Sequence, residues 1–154
     1  MFIYLGALRG RMAKSFKFLP DIAIADVAFD AVGGSLDEVF EACAEALCEV
    51  MAKRSSVGSG KEKVIALSAG TEEQLLFDFL SEVVFVKDAE GVVFSQVSVK
   101  VTEGKKCSLK AVLKGESIDP ERQELGNDVK AVTLHLFSLK KAGSGYKARV
   151  VLDI

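Results

Sequence analysis

The chain has 154 residues, 49% of them hydrophobic and 27% charged, which fits one domain with a single core and argues against wholesale disorder. Its formal charge of −2 gives no support to a generally basic, nucleic-acid-type surface, although a local basic patch stays compatible with it. Three cysteines, Cys43, Cys48 and Cys107, include no C-x-x-C pair and read as reduced thiols in a cytoplasmic protein.

Residues 1–14 read as an N-terminal extension and residues 15–154 as a single domain. The stretch "MFIYLGALRGRM" lacks a basic n-region and a continuous apolar run, and Arg9 and Arg11 stand where a cleavage site would fall. It is therefore not read as a signal peptide, and Met12 is an alternative start. No run of 18 or more apolar residues occurs, so no membrane-spanning helix is expected.

From Ser15 to Gly34 the chain is broken by Pro20. Beyond it, Val27, Phe29 and Ala31 alternate with Asp26, Asp30 and Val32, the pattern of a half-buried strand with Asp30 on a solvated face. Gly33-Gly34 ends it. Ser35 and Glu38 then form an S-x-x-E capping box. Leu36, Val39, Phe40, Cys43, Leu47, Val50 and Met51 recur at helical spacing, and Lys53 and Arg54 suit the negative end of the helix dipole. "SSVGSG" reads as a flexible loop and "KVIALSAG" as a short strand. Thr71 and Gln74 open a second helix, with Leu75, Leu76, Phe79, Leu80 and Val83 as its apolar stripe, expected to fade near Val84–Val86. Strands follow in "VVFSQVSVKV" and "CSLKAVLKG". After the polar segment "ESIDPERQELGND" come "VKAVTLHLFSLKK" and "YKARVVLDI", which a Gly-Ser-Gly turn joins as an antiparallel hairpin. Strands and helices in this order predict an α+β fold, two helices on a largely antiparallel, strand-rich body.

The chain has no P-loop, G-x-G-x-x-G, H-E-x-x-H or G-x-S-x-G motif. One histidine excludes a His-rich zinc site. His135 stands mid-strand with Thr133 and Phe137, where a lone histidine is more often structural than catalytic. The acids carry more. Asp26 lies amid the apolar "IAIADVAF" with no Lys or Arg near it in sequence, and Asp153 adjoins the Ile154 carboxylate. An acid in apolar surroundings needs a partner, and oxygen donors of this kind suit hard cations. The segment "GESIDPERQEL" reads as a turn leading into a short helix, with Pro120 at its first position. Glu116, Asp119, Glu121 and Arg122 form a candidate docking edge there. Lys130 alternates with Val132, Leu134 and Leu136, either as a snorkelling end residue or as a contact to an acid or phosphate.

Taken together, "FLP…ADVAFDAVGGSLDEVFEACAEAL", "FLSEVVFVKDAEGVVFSQVSV", "GESIDPERQEL", "VKAVTLH" and "VVLDI" resemble the archease family from about Phe16 to Ile154. No single piece is specific, but the order and spacing of all five are. The resemblance implies a small α+β accessory protein, not an enzyme. Archeases assist the GTP-dependent RNA ligase of the RtcB type, which joins tRNA halves, by promoting its guanylylation and turnover. The resemblance also implies a divalent metal at one tip, Ca²⁺ with Mg²⁺ as the alternative, held by Asp26, Asp153 and Ile154. Lys130 and His135 match the family's lysine and histidine, and tRNA is reached only through the ligase. Ala23, Ile24, Gln123 and Leu134 depart from the family's polar pattern. The competing readings are a metal-dependent phosphate-ester hydrolase, which the missing base and phosphate loop disfavour, and an RNA-binding module, which the pI disfavours.

Overall fold

A computed structural model describes residues 13–22 and 26–154. Among these, seven strands and two helices follow in the order β1 (Ser15–Phe18), β2 (Val27–Gly33), α1 (Leu36–Met51), β3 (Lys61–Ala69), α2 (Glu72–Glu90), β4 (Val92–Thr102), β5 (Cys107–Ser117), β6 (Ala131–Ala142) and β7 (Gly145–Asp153). The class is α+β, as predicted. The strands split into two sheets, ordered β1-β2-β7-β6 and β3-β5-β4, with every pairing antiparallel. The sequence order of the strands did not reveal that division.

α1 starts where the capping box requires. The Ser35 hydroxyl accepts from the Glu38 N–H at 3.2 Å, and the Glu38 carboxylate accepts at 2.8 Å from the Gly34 N–H, one residue upstream of the usual partner. The predicted apolar stripe is buried, and Ala42, Ala44, Ala46 and Cys48 are buried with it. α1 is thus enclosed on more than one face, because it packs on β2 and β7 of one sheet and on β4 of the other. Its polar side chains complete the join: Asp37 accepts from the Val101 N–H at 2.7 Å and Glu41 from the Val99 N–H at 2.9 Å. β4 is an edge strand, and these carboxylates cover donors it would otherwise leave open. The expected dipole role of Lys53 and Arg54 is not observed, since both lie beyond the helix end. Arg54 instead reaches back to Glu45 at 3.3 Å and Glu49 at 3.4 Å. Arg54–Ser56 forms one 3-10 turn that overlaps the start of the expected loop.

α2 runs to Glu90, about one turn past the predicted fade at Val84–Val86. Val83, Val84 and Val86 are buried, and Lys87 is only 5% exposed. The Lys87 ammonium is satisfied by Asp88 at 2.6 Å, Asp128 at 2.8 Å and the Val129 carbonyl at 2.9 Å. Tertiary partners therefore outweigh the β-branched run. Gly91, at φ 63, ends the helix by donating to the Lys87 carbonyl at 3.0 Å.

β2 is a central strand, buried on both faces, which overturns the solvated placement of Asp30. Asp30 is 2% exposed because Arg149 lies directly opposite it on β7. The Arg149 guanidinium grips it in a fork, Nε at 2.8 Å and Nη2 at 3.0 Å, and Lys147 adds an ion pair at 3.5 Å. In β4 a bulge at Ser95 shifts the alternation, so Val92 and Phe94 join Val97 and Val99 in the core.

Candidate functional site

Pairing of β2 with β7 builds the candidate site. Val27 pairs with Leu152, so Asp26, just before β2, and Asp153, the last residue of β7, flank that terminal pair at one end of the sheet. Leu152 is fully buried, whereas Asp26, Asp153 and Ile154 are half-buried. Ile154 packs its side chain against the core. The start of β6 holds the same end from the other side: Ala131 pairs with Asp153, and the Lys130 N–H donates to the Asp153 carbonyl at 2.8 Å. Among the described residues, neither the Asp26 nor the Asp153 carboxylate has a hydrogen-bond or ion-pair partner. Beside Asp26 lies a groove of about 560 Å³, whose lining includes Phe18, Pro20, Glu49 and Asn127.

This donor set fits a hard cation through oxygen atoms alone. Among the described residues, no group of three or more His, Cys, Asp or Glu side chains is placed to hold a metal. The tip supplies two carboxylates, so further donors would have to come from main-chain oxygens such as those of Ile154, or from solvent.

The other candidates divide. Lys130 belongs to the tip through its backbone, while its side chain is exposed. It does not open an apolar face as its alternation suggested, since Leu134 is 73% and Leu136 47% exposed. The reason is a bulge in β6. Residues 134–137 stand where β7 supplies only Val150, and Leu136 adopts φ 56. His135 lies within this bulge and is exposed, so it no longer shares a regular strand face with Thr133 and Phe137.

Glu116, Asp119 and Arg122 close on one another. Arg122 bonds Glu116 at 2.7 Å and Asp119 at 3.1 Å. The expected short helix is a single turn, because Asp119 and Gln123 clasp it. Gln123 donates at 2.9 Å to Glu116 and at 2.9 Å to the Ser117 carbonyl, and accepts from the Asp119 N–H at 2.8 Å. The Gln123 hydrogen bond, the Gly58 N–H and Arg122 lower the Glu116 carboxyl to about 2. Among the described residues, no hydrogen bond or ion pair joins this cluster to Asp26 or Asp153. Gln123, a departure from the family pattern, is thus a buried part of the clasp, whereas Ala23 and Ile24 lie outside the described residues, as do residues 1–12 of the extension.

The thiols are poor nucleophiles. Burial pushes the Cys48 thiol up to about 12 and the Cys43 thiol higher still, and all three cysteines are free. Sequence reasoning missed Glu49 and Asn127, which reach the groove beside Asp26 from α1 and from the segment before β6. No local motif marks either residue, since only the fold brings them there.

Comparison with known proteins agrees with this architecture. The model of the archease protein family matches residues 16–154. Protein archease of Methanothermobacter thermautotrophicus is 37% identical over 142 residues, covering 92% of this chain and 99% of that protein. Protein archease of Pyrococcus abyssi is 36% identical over 132 residues, covering 84% of this chain and 93% of that protein. The solution structure of Methanobacterium thermoautotrophicum protein 1598 superposes with a TM-score of 0.80 at 36% identity, over 90% of this chain and 98% of that one. A crystal structure from Thermotoga maritima, titled an archease and possible chaperone, shares the fold with a TM-score of 0.60 at 22% identity, over 86% of this chain and 93% of that one. A family match reaching from β1 to the acidic tip, with relatives covered over nearly their whole length and a shared fold, shows that this chain belongs to the archease protein family.

Proposed function

We propose that this chain is a non-catalytic accessory protein of an RtcB-type, GTP-dependent RNA ligase. In this reading it promotes guanylylation of the ligase and its multiple turnover in tRNA splicing, and it meets tRNA only through the ligase. The observation that carries the reading is the placement of Asp26 and Asp153 just beyond the terminal Val27–Leu152 pair of β2 and β7, two carboxylates that no described cation neutralises. Asp26, Asp153 and main-chain oxygens of Ile154 would hold Ca²⁺, or Mg²⁺ in its place. When bound, the cation would supply positive charge to phosphate oxygens. The residues themselves position oxygen donors on a rigid strand pair and present them at the surface. Lys130, whose N–H donates to the Asp153 carbonyl, belongs to that tip through its backbone.

The Thermotoga maritima protein's description as a possible chaperone is compatible with an accessory role for this one. The absence of a low-pKa cysteine fits a protein whose partner performs the chemistry. No helix among the described residues is long and apolar enough to cross a membrane. Its free thiols are compatible with the reducing, cytoplasmic setting this reading requires. The test is a ligation assay with the cognate ligase limiting. The protein is expected to raise the number of turnovers per ligase, and an unchanged turnover number overturns the reading.

A further inference from the structure

The four-stranded sheet has a second surface of chemical interest, on the face turned away from α1. Ala148, Val150 and Leu152 of β7 face the core, which leaves Lys147 and Arg149 on the opposite face. There a groove of about 510 Å³ is lined by Leu136, Ser138, Lys140, Lys141, Lys147 and Arg149, among others. Four of these are cations, and no carboxylate is among the described lining residues. Register makes the crowding explicit. Lys140 pairs directly with Lys147 across β6 and β7, and Arg149 pairs with Ser138 one step along the same face.

Like charges placed opposite one another on a sheet destabilise it. The nearby carboxylate, Asp30, is buried and already held in the Arg149 fork, and Lys147 reaches it at 3.5 Å. Lys140 has no ion-pair partner among the described residues. The bulge at residues 134–137 forms one wall, with Leu136 at positive φ beside the cations. The chain is acidic overall, so this local excess of positive charge is not the overflow of a basic protein.

We propose that this groove binds phosphate groups. Lysine ammoniums and a serine hydroxyl offer donors to phosphate oxygens, and an additional anion would relieve the Lys140–Lys147 repulsion. The nearest ring, Phe137, packs edge-on against Phe77 at 5.3 Å between centroids and is not free to stack on a base. Contact is therefore to phosphates and independent of base sequence. The phosphates come either from a nucleic-acid strand or from a free nucleoside triphosphate. This inference concerns the isolated protein and a different surface from the acidic tip, and an assignment of the groove to a strand would replace the reading that tRNA is met only through the ligase.

The experiment measures fluorescence anisotropy of an end-labelled single-stranded oligoribonucleotide with the purified protein, across a salt series. Three phosphate contacts predict a slope of log K against log salt of about −2, at about 0.7 per contact for a single strand. The Lys140→Ala/Lys147→Ala variant is expected to bind at least tenfold more weakly, with the slope reduced by about 1.4 for two lost contacts. Both lysines are exposed, so the fold is retained, as circular dichroism checks. The comparison variant is Lys100→Ala/Lys110→Ala on the other sheet, expected to bind like wild type. Displacement of the strand by excess nucleoside triphosphate assigns the groove to free nucleotides, and resistance to it assigns the groove to a strand. No binding of either probe at low salt, or equal binding by wild type and Lys140→Ala/Lys147→Ala, overturns the proposal.

Discussion

Asp26 and Asp153 are 127 positions apart in the sequence, yet β2–β7 pairing brings them to the same end of the sheet, next to the Val27–Leu152 pair. Each is half-buried, and neither is neutralised by a described cation. A pair of this kind is more favourable when a cation shares it, so Asp26→Ala and Asp153→Ala should each weaken Ca²⁺ and Mg²⁺ binding. Removing one of a site's few charged ligands is expected to reduce affinity at least tenfold, by titration calorimetry, with an unchanged circular dichroism spectrum. Unfolding of either variant would make the acids structural instead. Composition marked both acids as unusual, but not as neighbours. No Lys or Arg stands near Asp26 in the sequence, and that local feature was legible. The partnership across the sheet was not, because it depends on which strands pair. Asp30 shows the reverse error. Alternation placed it among solvated residues, and the Arg149 fork that buries it comes from a strand 119 residues away.

The same fork matters at the scale of elements, because it clamps β2 to β7 at the middle of the sheet that carries the tip. Burial raises the Asp30 carboxyl, but the Arg149 hydrogen bonds and charge and the Lys147 charge outweigh that, and its net shift is downward. A depressed carboxyl contributes stability that is fully present above the unfolded value of about 3.9. That stability is lost as the pH falls through the lower, folded value. Asp30→Ala removes a buried acceptor of charged donors and is expected to cost about 1.5–3 kcal/mol at neutral pH. The gap between variant and wild type should close below about pH 4 in denaturant melts run as a pH series. A gap that persists unchanged into acid would remove the ion pair from the account. Helix boundaries repeat the lesson. The capping residues Ser35 and Thr71 were readable, because the hydrogen bonds they make are local. The end of α2 was not, because Asp128 and the Val129 carbonyl hold Lys87 from across the molecule.

At the scale of the whole molecule, α1 joins two sheets through its apolar faces and through the Asp37 and Glu41 carboxylates. The class, both helices and the final hairpin followed from periodicity and turn chemistry. The division into two sheets did not, because a list of strands carries no pairing order. Charge is segregated on this frame. The Asp26–Asp153 end is acidic, and the face bearing Lys140, Lys147 and Arg149 is basic. The acidic tip lies at one end of the paired strands β2 and β7, whereas the clasp of Glu116, Asp119, Arg122 and Gln123 secures the loop that precedes β6. The proposed function rests on the tip acting on the chemistry of a ligase. The measurement that tests it most directly is the fraction of an RtcB-type ligase carrying covalent guanylate after a fixed time with GTP, with wild-type protein or with Asp26→Ala. The account predicts a higher guanylylated fraction with wild type and the ligase-alone level with Asp26→Ala. Equal stimulation by both proteins, or none by wild type, would contradict it.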